Sequence, residues 1–364
     1  MYLYDQEGSG YLDLTSGIAV NAFGYGDAGI ERAMRDAMES GLIHTSNLFR
    51  TTPGEQLAQF LVDHSFASSV FFCNSGAEAN EGAFKIARKW ARSRAPEKTG
   101  IVSLRGGFHG RLFASLAATD RPAYQMPFAP LAPGISVVER DLEDLDKALA
   151  ADTIAAVIVE PVQGEGGVRV IDSALLRELR AMTQERHVAL IFDEIQCGLG
   201  RLGTLFAYER CGVVPDMVTL AKPIAAGLPM GAVLMNGALA FAMAPGDHGT
   251  TFGGGPFVAS VALHVVQRLA TPAFLSRVAE DGTWFGEQLR AVAMRTGRVR
   301  AVRGAGYMWG MDIVEPAAGV VARARDAGLL ILTAGDYTLR ILPPLVATRA
   351  ELQRGVELLE GVLR

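Results

Sequence analysis

From about residue 53 onward, short apolar runs alternate with stretches of helical periodicity, which is how a series of βα units around a mainly parallel sheet is written. Apolar runs at 70–73, 101–104, 154–159, 188–192 and 217–220 predict buried strands of one doubly wound sheet. Pro53 stands in a first-turn position with Leu57, Phe60, Leu61 and His64 at helical spacing behind it, so a helix opens there. Ser75-Gly76-Ala77-Glu78 has capping-box spacing ahead of an apolar face of Ala83, Phe84, Ala87, Trp90 and Ala91. Further helical patterns lie near 142–150 and 174–186. After about residue 256 the rhythm changes to longer helices, 256–270 and 273–295, then short strands near 308–313 and 328–341 and a closing helix from about 349. The expected organisation is an α/β protein with a large domain over 46–255 and a smaller α+β domain over 256–364, the N-terminal segment 1–45 belonging to the small domain.

Composition narrows the class of partner. A chain of 364 residues with 49% hydrophobic content supplies enough apolar surface for both cores. A net charge of −5 and the lack of any dense Lys/Arg run argue against nucleic acid or an anionic membrane and for a small-molecule substrate. Residues 1–10 carry two acids, no base and no apolar core of signal-peptide length, and no apolar stretch approaches the roughly 20 residues of a membrane span. Cys73, Cys197 and Cys211 form no CxxC pair, which suits reduced thiols in a cytoplasm and disfavours a metal site.

Only five of the 34 basic residues are lysines. A lysine that forms an imine must shed its proton near neutral pH, which requires burial or neighbouring positive charge. Lys85, Lys89, Lys98 and Lys147 read as solvated, whereas Lys222 ends the apolar strand 217–221 and is followed by Pro223 and a run of small residues. Position alone leaves a strand-end lysine that simply reaches solvent as the other reading. Asp193 ends the all-apolar strand 188–192, where it either caps the next turn or faces the crevice at the strand C-termini, where open α/β sheets bind ligands. A carboxylate there can hold a pyridine nitrogen protonated. Ser75-Gly76-Ala77 reads either as an ordinary helix cap or as a phosphate cradle at a helix N-terminus. A competing G-x-G-x-x-G match at 198–203 raises a nicotinamide dehydrogenase as the alternative from another class. Five residues separate those glycines from their strand, however, no convincing crossover helix follows, and Lys222-Pro223 stands where an acidic strand end belongs.

Taken in order, these segments resemble the class III aminotransferases of fold type I, and among them the acetylornithine aminotransferase branch. The matching stretches run over nearly the whole chain: Tyr11-Leu12-Asp13 with 16–20, His44-Thr45-Ser46-Asn47-Leu48-Phe49, 74–80, Phe108-His109-Gly110-Arg111, 160–167, Asp193-Glu194-Ile195-Gln196, Leu220-Ala221-Lys222 and 248–254. The resemblance implies pyridoxal 5′-phosphate as cofactor, with Ser75, Gly76 and Ala77 at its phosphate, Phe108 stacked on the ring, Asp193 on the ring nitrogen, Gln196 near the ring hydroxyl and Lys222 in the imine. It implies a homodimer in which Thr251 reaches the phosphate of the neighbouring subunit. For substrates it implies Arg111 on a carboxylate with Thr250 beside it, and Arg340 on the α-carboxylate of glutamate with Glu165 as its removable partner. The implied reaction is amino transfer from N-acetylornithine to 2-oxoglutarate in arginine biosynthesis; succinylornithine, ornithine and 4-aminobutyrate remain open as donors. The chain departs from the family pattern in a shorter N-terminal segment, in Arg50 where an aromatic is common, in Pro223 for glycine and in Gly255 for asparagine.

Overall fold

The computed structural model describes residues 1–364 apart from Asn47, so that member of the 44–49 motif lies outside the described residues. A seven-stranded sheet forms the centre, in the order 69–73, 231–235, 217–220, 189–193, 154–159, 100–104, 135–138. Gly231–Met235 runs antiparallel to both of its neighbours and the rest are parallel, so the sheet is mainly parallel as expected. Ile154–Val159, Ala189–Asp193 and Met217–Leu220 are buried along their whole length, which is why they read as unbroken apolar runs rather than as alternations.

Several elements escaped the pattern reading, among them strands Ile135–Val138 and Val299–Ala305 and helix Ala317–Asp326. Gly231–Met235 follows a Gly/Pro-rich stretch and pairs without an intervening crossover helix, so no βα rhythm announces it. Helix Ala28–Glu39 buries only Ile30 and Ala37, too narrow an apolar face to stand out. Its N-cap Asp27 accepts from the Gly29 and Ile30 amides and pairs with Arg268 at 2.6 Å.

Helix Gly76–Arg92 lies across the central sheet, with Ala79, Ala83, Phe84, Ala87 and Ala91 facing inward. Its cap differs in detail from the expected box. The Ser75 hydroxyl accepts from the Glu78 amide at 3.2 Å, but the Glu78 carboxylate reaches past Ser75 to the Asn74 amide at 2.7 Å.

A second sheet, in the order 299–305, 308–313, 338–341, 332–333, is antiparallel throughout and packs on helices Pro272–Thr296 and Arg349–Leu363. Tyr2–Tyr4 and Gly10–Asp13 form a small sheet with Leu329–Leu330, tying the N-terminal segment to this C-terminal layer. The glycine run at 198–203 serves this junction. A Cβ on Gly203 would come within 2.7 Å of Ala279, and one on Gly306 within 2.4 Å of the Arg201 carbonyl. Arg201 is fully buried there, donating to the Tyr307 and Pro343 carbonyls, and burial lowers its guanidinium pKa to about 9. These glycines therefore permit close packing between layers, and the nicotinamide reading has no phosphate-cradling helix behind it.

Candidate active site

Parallel strands bring their C-terminal ends to one edge of the sheet, and there a cavity of about 390 Å³ opens. Ser75, Gly76 and Ala77 line one side, Phe108 and Arg111 another, and Asp193, Gln196, Lys222 and Glu165 close it. Residues expected from widely separated parts of the chain thus meet in one place.

Lys222 sits on the turn that follows Met217–Leu220, at φ 37°, a left-handed conformation that a side-chain-bearing residue holds only when its surroundings impose it. Burial lowers the pKa of its ammonium and Arg340 adds to that, against the opposing pull of Asp193, Glu160 and Glu165. The other lysines lack such a setting. Lys85 and Lys147 are exposed, but Lys89 and Lys98, expected to be solvated, are half-buried: Lys89 pairs with Asp247 and Lys98 donates to the Arg186 carbonyl at 2.6 Å.

Asp193 is held by groups that local sequence reading missed. Its Oδ2 accepts from Asn80 Nδ2 and lies 2.8 Å from His109 Nδ1, while Oδ1 accepts from the Ile195 amide at 3.1 Å. Asn80 is fixed in turn by the Thr219 hydroxyl at 2.8 Å. Only a fold that stacks helix Gly76–Arg92 over three strands joins these residues; the sequence signal was the polar Asn80 and Thr219 within otherwise apolar faces. Glu160, also missed, accepts from the Phe108 amide at 2.8 Å and the Gly164 amide at 3.0 Å, and burial pushes it up to about 7.

Arg340 projects from strand Thr338–Ile341 and pairs with Glu165 at 2.6 Å. It also donates to Gln196 Oε1 at 3.4 Å, and its Nε is buried with no hydrogen-bond partner among the described residues. Arg111 is exposed at the cavity mouth, on a loop rather than a helix, its guanidinium 3.8 Å above the Tyr124 ring. Thr250 and Thr251 do not reach this cavity within the chain. They belong to the 250–255 turn packed against Phe72, and Thr251 lines a second hollow with His44, Phe49 and Arg50.

The Aminotransferase class-III family model matches residues 1–363. The chain belongs to that family. Among class-III relatives it is 45% identical to the mitochondrial acetylornithine aminotransferase of Alnus glutinosa, covering 98% of this chain and 80% of that protein. It is 42% identical to the acetylornithine aminotransferase of Methanocaldococcus jannaschii, covering 100% and 91%. Among solved structures it superposes on the ornithine aminotransferase of Toxoplasma gondii with TM-score 0.95 at 28% identity, covering 100% of this chain and 88% of that one. The N-acetylornithine aminotransferase of Stenotrophomonas maltophilia gives 0.87 at 36%, covering 99% and 92%.

The residues present fit pyridoxal 5′-phosphate, the cofactor of class-III aminotransferases. A Cβ on Gly76 would fall 2.8 Å from the Ile195 side chain, so only glycine lets Ile195 pack this closely beside a helix N-terminus suited to a phosphate. Buried Asp193, fixed by donors from two elements, offers an anion for a ring N–H, and Lys222 offers an amine whose proton is loosely held.

Proposed function

We propose that this class-III aminotransferase moves the amino group of N-acetylornithine to 2-oxoglutarate, giving N-acetylglutamate semialdehyde and glutamate. The observation that carries the substrate reading is the Glu165–Arg340 pair beside Lys222, with one guanidinium N–H of Arg340 buried and unsatisfied. A buried donor of that kind is costly unless a ligand supplies an acceptor, and the guanidinium fork suits a carboxylate.

Pyridoxal 5′-phosphate, when bound, supplies the electron sink for breaking a C–H bond at the substrate carbon that bears the amino group. Ser75, Gly76 and Ala77 would hold its phosphate, Phe108 and Gln196 its ring face and hydroxyl side, and Asp193 its ring nitrogen. Lys222 holds and moves the proton of the substrate carbon that bears the amino group, Cδ of N-acetylornithine and Cα of glutamate, a role typically worth about 10² to 10⁴ in rate. Arg340 binds the α-carboxylate of glutamate or 2-oxoglutarate once Glu165 turns away, and Glu165 neutralises Arg340 while the other donor reacts. Arg111, steadied over Tyr124, meets a substrate carboxylate at the mouth.

The working unit in this reading is a homodimer in the cytoplasm. Leu48, Phe49 and Phe252 are 85%, 69% and 67% exposed around the hollow that holds Thr251, an apolar surface suited to a second copy that brings Thr250 and Thr251 to the neighbouring cavity. The donor is tested by assaying N-acetylornithine against succinylornithine, ornithine and 4-aminobutyrate with 2-oxoglutarate. N-acetylornithine is expected to give the highest kcat/KM; equal or faster turnover of the unacetylated donors overturns the choice.

A further inference from the structure

The hairpin loop that carries Glu165 is held by its backbone to an unusual degree. Arg121 donates to the Glu165 carbonyl, Arg169 to the Gly166 carbonyl at 3.1 Å and Arg303 to the Gly167 carbonyl at 2.7 Å. Three successive carbonyls thus each take a guanidinium N–H, one from the hairpin itself and two from distant parts of the chain.

The third of these comes from the small antiparallel sheet and has a defined relation to Arg340. Arg303 pairs in register with Gly310, and Gly310 with Arg340, so the two arginines stand on one row of three strands and on the same face. The loop lies on the glycine between them: a Cβ on Gly310 would meet Val168 Cβ at 2.8 Å and the Gly167 carbonyl at 3.1 Å. Arg303 is itself fixed by two bonds to Asp312, at 2.5 and 2.7 Å, and Asp312 takes the Thr338 hydroxyl at 2.6 Å, two residues before Arg340 on the same strand. Gly167 at φ +99° and Val168 at φ +50° hold the loop in conformations that need this support.

We propose that Arg303 and Asp312 are positioning residues that set how the site divides itself between its two kinds of substrate, by pinning the loop that carries Glu165, at its Gly167 carbonyl, to the sheet that carries Arg340. The inference rests on the transamination reading above. With the backbone fixed, Glu165 leaves and regains Arg340 by side-chain rotation alone. A substrate with a carboxylate on its reacting carbon needs Glu165 away, whereas a donor whose reacting carbon bears no carboxylate needs it in place. Loosening the clasp weakens the second state selectively.

The test uses Arg303→Gln and Asp312→Asn holoenzymes, with Arg303→Lys as the conservative variant that keeps charge and one donor. The glutamate and N-acetylornithine half-reactions are followed separately, and amide hydrogen exchange is measured over residues 160–170. In a loosened loop the Glu165–Arg340 pair must order the backbone as well as the side chain, whereas the state with Glu165 turned away need not, which shifts their balance by about tenfold. The N-acetylornithine half-reaction is therefore expected to lose about tenfold more kcat/KM than the glutamate half-reaction. Exchange in the loop should quicken while that of the central sheet stays unchanged, and Arg303→Lys should fall between. Equal losses in both half-reactions, a ratio that stays put while the loop loosens, or a ratio that moves with loop exchange unaltered would each overturn the proposal. Failure of the wild-type enzyme in both half-reactions would instead sink the transamination reading itself.

Discussion

Glu165 Oε1 stands 2.6 Å from Arg340 Nη1, with Arg340 buried and Glu165 still partly open to the cavity. The cation is therefore the fixed member and the anion the movable one, which is what a site serving two differently charged substrates requires. Glu165→Ala should leave the glutamate half-reaction unchanged or faster, because Arg340 no longer has to be uncovered. It should cost the N-acetylornithine half-reaction about tenfold or more, since a buried guanidinium is left unpaired in that complex. Separate single-turnover rates with each amino acid check this; equal losses contradict it.

At the phosphate end Gly76 lets Ile195 pack against the helix N-terminus, with three Ile195 carbons 2.8 to 3.1 Å from the notional Cβ. Gly76→Ala should weaken cofactor binding by about tenfold, because the added Cβ pushes Ile195 aside at the phosphate end, and the same crowding should cost the cofactor-free protein about 1–3 kcal/mol. Adding Ile195→Ala should recover part of the loss. Fluorescence titration with pyridoxal 5′-phosphate measures both, and unaltered affinity in Gly76→Ala counts against the cradle.

Much of this site was legible in the chain because its key groups end apolar runs. Asp193 and Lys222 were marked by the strands before them, and Gly76 by the cap that opens a helix. Strand ends and caps are local features, so local pattern finds them. His109, Asn80, Thr219 and Glu160 were not found, because what fixes their roles is contact between elements up to 139 positions apart. Arg303 was missed for the same reason: only the register of three strands sets it beside Arg340. Thr250, expected beside Arg111, is held by the turn around Phe72 away from the cavity of its own chain, as is Thr251, whose expected place was the phosphate of the neighbouring subunit.

Glu194 gives a pH prediction. Its carboxylate accepts from the Ala207 amide at 2.6 Å and the Tyr208 amide at 2.8 Å, and burial pushes it up to about 8. Below about pH 4.5, its ordinary value, it is protonated folded or unfolded and carries no penalty. Between there and about pH 8 the unfolded chain releases the proton and the folded one keeps it, so stability falls as pH rises. At about 1.36 kcal/mol per unit, the penalty is on the order of a few kcal/mol once fully developed. Glu160 acts in the same direction up to about pH 7, whereas Asp27, lowered to about 2, acts only in acid. Glu194→Gln offers one acceptor where two are needed, so at pH 5 it should be less stable than wild type by about 1–2 kcal/mol. It should then draw level with, or pass, the wild type by pH 8. Denaturant melts across that range check it, and parallel curves would contradict it.

The central claim is that Lys222 alone among five lysines holds the cofactor. The direct measurement is borohydride reduction of the holoenzyme followed by mass mapping of its peptides. The account predicts the reduced cofactor on the peptide containing Lys222 and on no other. Label on Lys85, Lys89, Lys98 or Lys147, or an active enzyme with no labelled lysine, would contradict it.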